Sequence, residues 1–312
     1  MDQKYRIAIL GLGGVGGYFG GKLAARCAQS DEVEIIFIAR GENEKAIRSN
    51  GMKLIIPEGE QTVHPFIVTS HTEQLGFVDL VLCCVKSYDL EVSLALLKPC
   101  INDQTVILPL LNGVDVGERI RRVYPGARVW EGCVYIISRL VAPGVVKQSG
   151  DINRLYLGSE HGNKEALRQV ETIFKSAGIN AKVSDNISRT IWEKYIFISP
   201  LATLTSFLNL PIGEILKNQR HKELLLNLLT ELKSVSDAKN IGLPDIIVQT
   251  MLDRMIALPH GSTSSMYDDF HKGGKTEVDS LTGHVTELGR ELHVPTPNYD
   301  RMLAGLKKRL HQ

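Results

Sequence analysis

The run Ile7-Ala8-Ile9-Leu10 leads directly into Gly11-Leu12-Gly13-Gly14-Val15-Gly16, and a helix-forming stretch, Val15 to Arg26, follows. No other feature of the chain constrains its fold as much. A GxGxxG between a buried strand and a helix admits few geometries. Gly11 permits the tight turn, Gly13 lets backbone N–H groups approach a pyrophosphate, and Gly16 lets the helix pack close to the strand. A second apolar run, Val33 to Ala39, supplies the next strand of a β-α-β unit. The pattern predicts a dinucleotide site on Gly11, Leu12, Gly13, Gly14, Val15 and Gly16.

The rest of the first half repeats short apolar runs, at Leu80 to Val85 and Thr105 to Leu110, without polar alternation. That is the mark of a parallel sheet covered on both faces. Met52 to Ile56 and Thr62 to Val68 flank Pro57-Glu58-Gly59-Glu60, which reads as an inserted hairpin, and Gly126 to Arg139 and Val145 to Leu157 read as strands around Pro143-Gly144. After about Ser184 the strand signals stop. Leu224, Leu225, Leu228, Leu229 and Leu232 form a helical stripe, closed by Gly242 and Pro244. Further helices are expected at Ile246 to Ala257, Val278 to Arg290 and Asn298 to Leu310. At about 150 residues per domain, 312 residues suggest two. The expected fold is α/β: a Rossmann-type dinucleotide-binding domain over residues 1–184, then an all-helical substrate and catalytic domain over 185–312.

Charge and composition exclude other classes. A net charge of +1 argues against nucleic-acid binding. Lys4 and Arg6 precede an uncharged run from Ile7 to Gly21, but seven of its fifteen residues are glycine, a poor signal-peptide core. Tyr195 to Gly213 lacks charge for 19 residues, yet Pro200, Asn209 and Pro211 favour a buried core helix over a membrane span. Cys27, Cys83, Cys84, Cys100 and Cys133 are odd in number with no CxxC, which fits reduced thiols and a cytoplasmic protein. There is no HExxH, no paired metal spacing and no GxSxG, so no metal is expected.

The second strand ends Phe37-Ile38-Ala39-Arg40-Gly41, with no acid for a ribose hydroxyl. A guanidinium there grips a 2′-phosphate, so Arg40 argues for NADP(H); a solvated arginine is the alternative, and nearby Glu42 works against the assignment. Lys86 and Asn112 close the next two strands, where ligands of open parallel sheets sit. For Lys86 the readings are an anion contact or a snorkelling lysine. For Asn112 they are a nicotinamide or substrate contact or a plain Asn-Gly turn. Lys194 has Thr190, Ile191, Phe197 and Ile198 on its own helical face. An ammonium desolvated there becomes a readier proton donor, whereas a lysine at the rim of the core does nothing chemical. Thr276 and Asp279 resemble a capping box, which places Glu277 at the first helical position, where an acid suits the helix dipole.

With these pieces in order, the chain resembles the ketopantoate reductase (2-dehydropantoate 2-reductase) family. The likeness spans nearly the whole chain: the glycine loop, Val85-Lys86-Ser87-Tyr88-Asp89, Leu110-Leu111-Asn112-Gly113-Val114-Asp115, Trp192-Glu193-Lys194-Tyr195, and the stretch from Ser264 to Asp279. The resemblance implies NADPH-dependent reduction of 2-dehydropantoate to pantoate in pantothenate biosynthesis. In that reading Lys194 is the general acid and Glu277 bonds the substrate hydroxyl. Asn112 places substrate against the nicotinamide, Ser265 meets the substrate carboxylate, and Arg40 and Lys86 hold the 2′-phosphate. The implied partner is a small 2-oxo acid, and a homodimer is compatible with it. The family commonly carries asparagines four and eight residues after the lysine; here Ile198 and Ala202 stand there. Two alternatives follow: a reductase for another small 2-oxo acid, and a non-enzymatic NADP-binding sensor, which needs only the nucleotide site.

Overall fold

The computed structural model describes residues 4–28, 30–160 and 162–310. The chain divides into two compact units, one of residues 1–111 and 116–187, the other of 112–115 and 188–312.

In the first unit, β1 (Tyr5–Leu10) runs into α1 (Gly14–Cys27), followed by β2 (Val33–Ile38) and α2 (Gly41–Asn50). A hairpin of β3 (Met52–Ile56) and β4 (Gly59–Val63) precedes β5 (Ile67–Thr69), β6 (Leu80–Cys83), α3 (Leu90–Ala95), β7 (Val106–Pro109), α4 (Val116–Val123) and β8 (Arg128–Val129). The long hairpin of β9 (Glu131–Ala142) and β10 (Val145–Gly158), then α5 (Lys164–Ser176) and β11 (Asn180–Val183), complete it.

Six strands form a parallel sheet in the order β5-β2-β1-β6-β7-β8, with Ile7 of β1 level with Ile35 and Leu80. Successive side chains of a strand point to opposite faces. Ile7 and Ile9 join one apolar cluster with Leu23 of α1, while Ala8 and Leu10 join another with Leu94 and Ile120 of α3 and α4. Both faces of β1 are therefore covered, which is why its sequence shows no polar alternation. A second sheet runs β11-β10-β3-β4, with β9 antiparallel to β10.

The expected strand from Thr62 to Val68 is two strands. β4 begins at Gly59 and pairs with β3, whereas Ile67–Thr69 joins the other sheet beside β2. Pro65 lies between them and has no N–H to extend either ladder. The sequence gives little sign of β11, because Asn180 and Lys182 are exposed and only half of its short pattern is apolar.

The second unit is helical: α6 (Ile187–Leu208), α7 (Ile212–Lys217), α8 (Gln219–Ala238), α9 (Ile247–Ile256), α10 (Ser265–His271), a π-helical turn at Asp279–Gly283, α11 (His284–Glu291) and α12 (Pro297–Leu310). Leu225, Leu228, Leu229 and Leu232 are fully buried, the inward stripe of α8. That helix stops earlier than Gly242 and Pro244 suggest. Asn240 takes a left-handed conformation (φ 58°), and the Ile241 N–H closes back on the Ser236 carbonyl. Asparagine tolerates this geometry, so it ends the helix before the glycine does. The uncharged stretch from Tyr195 is broken in the same way, by Asn209 (φ 58°), and Pro211 then starts α7. Among the described residues no helix is long and apolar enough to cross a membrane.

Candidate active site

The glycine loop is shaped by what surrounds each glycine. Gly11 has φ +92°, and a Cβ on it would lie 2.8 Å from Val85 Cγ1. A Cβ on Gly16 would strike the Gly11 carbonyl oxygen and the Cys84 side chain; one on Gly14 would strike the Ser138 carbonyl of β9. A Cβ on Gly13 would meet nothing within 4 Å. So Gly11, Gly14 and Gly16 are required for close backbone packing, and Gly13 alone borders open space. Gly13 is also the N-cap of α1, with no side-chain cap and no acid in the first helical turn. This edge suits an anion, because no side chain competes for the amides and the helix dipole favours negative charge. The residues present therefore fit a dinucleotide pyrophosphate. Leu12 is buried and Val15 packs against the same core, so only their backbone atoms are available to a ligand.

Sequence reasoning missed two supports of this loop. The Asn43 side chain donates to the Leu12 carbonyl (3.1 Å) and accepts from the Gly144 N–H (2.7 Å), tying the loop to the β9–β10 turn. Ser138 of β9 is the residue flush against Gly14. Neither is visible locally, since both pair segments about a hundred residues apart or more.

Arg40 lies beyond the end of β2, mostly exposed, and its guanidinium donates to Asp89 Oδ2 at 3.2 Å. Glu42, the acid expected to oppose it, instead pairs with Lys45 at 2.9 Å. The carboxylate that shares Arg40 comes from the 3₁₀ turn Ser87–Asp89. A guanidinium has five N–H donors, so one such bond leaves capacity for a phosphate. Half-buried Lys86 starts this turn, and its carbonyl accepts from the Asp89 N–H (2.9 Å). The neighbouring thiols are not poised as nucleophiles: burial pushes Cys83 up to about 12 and Cys84 well above its ordinary value.

In the second unit, Lys194 is half-buried on α6, and its ammonium donates to Asn112 Oδ1 at 2.7 Å. Asn112 follows β7, between Leu111 and Gly113, whose φ of 121° is one that glycine adopts easily. Asn112 and Lys194, each with a chemical and a merely structural reading in the sequence, meet in one charge-assisted hydrogen bond. Ile198, one turn along the same face, is half-buried, and Ala202 lies in the core.

Glu277 is only 3% exposed, which corrects the capping-box expectation. The Thr276 hydroxyl is buried without a hydrogen-bond partner, and Asp279 reaches out to Lys307 at 3.0 Å. The helix opens through a wide π turn rather than an ordinary first turn, so the box does not close and Glu277 is not a surface acid. Ser264, not Ser265, caps α10, accepting from the Tyr267 N–H (3.1 Å); Ser265 is exposed at the first helical position.

Comparison with known proteins bears on this arrangement. The family described as "Ketopantoate reductase PanE/ApbA" matches residues 7–162, and "Ketopantoate reductase PanE/ApbA C terminal" matches residues 186–310. A 2-dehydropantoate 2-reductase of Mesorhizobium japonicum is 27% identical over 327 residues, covering 97% of each chain. The crystal structure of 2-dehydropantoate 2-reductase from Porphyromonas gingivalis W83 superposes with a TM-score of 0.85 at 36% identity, covering 98% of this chain and 100% of that one. A ternary structure of D-mandelate dehydrogenase with NADH and anilino(oxo)acetate has a TM-score of 0.86 at 25% identity, covering 98% of each.

Proposed function

This chain belongs to the ketopantoate reductase family, and we propose that it is the NADPH-dependent enzyme that reduces 2-dehydropantoate to pantoate in pantothenate biosynthesis. The observation that carries the reading is the 2.7 Å bond from Lys194 to Asn112, which makes an ordered proton donor of a lysine in apolar company. The glycine loop holds the pyrophosphate, and Arg40 and Lys86 hold the 2′-phosphate. When bound, the reduced nicotinamide supplies the hydride that C2 of the 2-oxo acid receives. Lys194 delivers the proton to the carbonyl oxygen and, before that, stabilises the negative charge developing there. Asn112 accepts one ammonium hydrogen and so fixes where the lysine's charge sits. Ser265 meets the substrate carboxylate and buried Glu277 its hydroxyl. Solvent returns the proton to Lys194 after turnover.

A second reading has its own support. Ile198 and Ala202 offer no polar side-chain atom on the lysine's face, and a protein of similar fold is a D-mandelate dehydrogenase whose ternary structure holds NADH and anilino(oxo)acetate. A 2-oxo acid with an apolar side chain suits that face. Steady-state turnover with NADPH and with NADH against a panel of 2-oxo acids tests both readings. A site built to bond a hydroxyl discriminates strongly against analogues that lack it. Preference for 2-dehydropantoate over 2-oxoisovalerate supports the first reading; equal kcat/KM supports the second. A folded Lys194→Ala protein with near-normal kcat removes both.

A further inference from the structure

One face of α6 carries hydroxyls at every fourth residue. Tyr195, Ser199 and Thr203 are all fully or almost fully buried, and each bonds the π turn Asp279–Gly283. The Tyr195 hydroxyl donates to the Ser280 carbonyl at 2.7 Å. Ser199 Oγ donates to the Leu281 carbonyl at 2.6 Å and shares a hydrogen with the Tyr299 hydroxyl at 2.7 Å. Thr203 Oγ1 meets Thr282 Oγ1 at 2.8 Å. Three successive turns of one helix thus clamp three successive residues of the other segment.

This register has a consequence for Glu277. The Leu281 N–H donates to the Glu277 carbonyl at 2.9 Å, and the Leu281 carbonyl is the acceptor of Ser199. The segment lacks the anchor that a helix start usually has, because Thr276 caps nothing. A π turn adds a residue to the helical circuit and so rotates what precedes it relative to an α-helical start. It persists only where its surroundings hold it. Tyr195 is also the residue next to Lys194, so the ladder begins beside the lysine and ends on the turn that follows the glutamate.

We infer that Tyr195, Ser199 and Thr203 are positioning residues, which hold the π turn in register with α6 and thereby set the orientation of the Glu277 carboxylate. The inference rests on the proposed function for the meaning of that orientation, but its test does not need turnover. The protein is labelled with glutamate carrying ¹³C at the carboxyl, and the Glu277 signal is assigned by its loss in Glu277→Gln. Wild type is then compared with Tyr195→Phe, Ser199→Ala and Ser199→Thr. The expected result is a displaced Glu277 carboxyl resonance in Tyr195→Phe and Ser199→Ala. The signals of glutamates in the first unit stay in place, and Ser199→Thr restores the wild-type position. Nucleotide affinity is unchanged, while kcat on the 2-oxo acid that the wild type reduces falls at least tenfold. Should Ser199→Ala fail to fold, Tyr195→Phe and Thr203→Val carry the same comparison. An unmoved Glu277 resonance in folded variants overturns the inference, whatever their activity. A wild type that reduces no 2-oxo acid overturns the proposed function, and the resonance still decides the ladder.

Discussion

Replacing Asn112 by alanine removes the acceptor 2.7 Å from the Lys194 ammonium and little else, because Asn112 is half-buried at a turn. A hydrogen bond to a charged group contributes about 1.5–3 kcal/mol. Lys194 is partly exposed, so water takes over part of that role and the lower end applies, about 1.5 kcal/mol. At 1.4 kcal/mol per factor of ten, kcat should fall roughly tenfold through disorder of the ammonium. Lys194→Ala removes the proposed proton donor and should cost about 10²–10⁴-fold. If the asparagine acts chiefly through the lysine, then in Lys194→Ala the further change Asn112→Ala should add almost nothing, and the double mutant should match the single. Lys194→Arg should not rescue activity, since a guanidinium releases its proton poorly. The assay is steady-state oxidation of NADPH at saturating 2-oxo acid, with nucleotide affinity measured separately by fluorescence titration. Fully additive losses in the double mutant would show that Asn112 works independently of Lys194. A folded Asn112→Ala protein within twofold of wild type would show that the bond is ornamental.

Three other outcomes are expected. Asp89→Asn frees Arg40, so KM for NADPH should fall up to about fivefold, the range of an exposed ion pair, with KM for NADH unchanged; a weakened NADH site would instead assign Asp89 to the nucleotide ribose. Gly13→Ala adds a methyl group in open space and should leave the Tm unmoved while weakening nucleotide binding, whereas Gly16→Ala collides with the Gly11 carbonyl and should cost about 1–3 kcal/mol in urea melts; equal stability losses would contradict the packing argument. The Arg119 guanidinium holds the Glu91 carboxyl below its ordinary 4.5. A carboxyl depressed in the folded state adds stability that is present above the unfolded value and lost as pH falls through the folded one. Tm should therefore fall less steeply below about pH 4.5 in Glu91→Gln than in wild type, by under about 1 kcal/mol because the pair is partly exposed; parallel acid limbs would refute it.

The glycine loop between β1 and α1 is legible in the chain because it is local. Gly11 to Gly16 lie between a strand and a helix adjacent in sequence; Gly11 and Gly16 answer to the residues just after β6, Gly14 to β9, and Gly13 to open space. The apolar runs of β1, β2, β6 and β7 are equally local, since a strand buried on both faces has no polar period to conceal it. Lys194 stood out for its apolar neighbours one helical turn away, but those neighbours could not say whether it was used. Tertiary structure adds what no local pattern shows, an Asn112 acceptor brought to it from 82 residues away. It also supplies Asp89 as a partner of Arg40 from outside its own strand end and buries Glu277, which the chain alone reads as an acid at a helix start. A periodic pattern reports which face of an element is apolar. Which polar groups meet depends on how distant elements pack, and on irregularities such as the π turn, where hydroxyls of α6 bond the Ser280 and Leu281 carbonyls and the Thr282 hydroxyl.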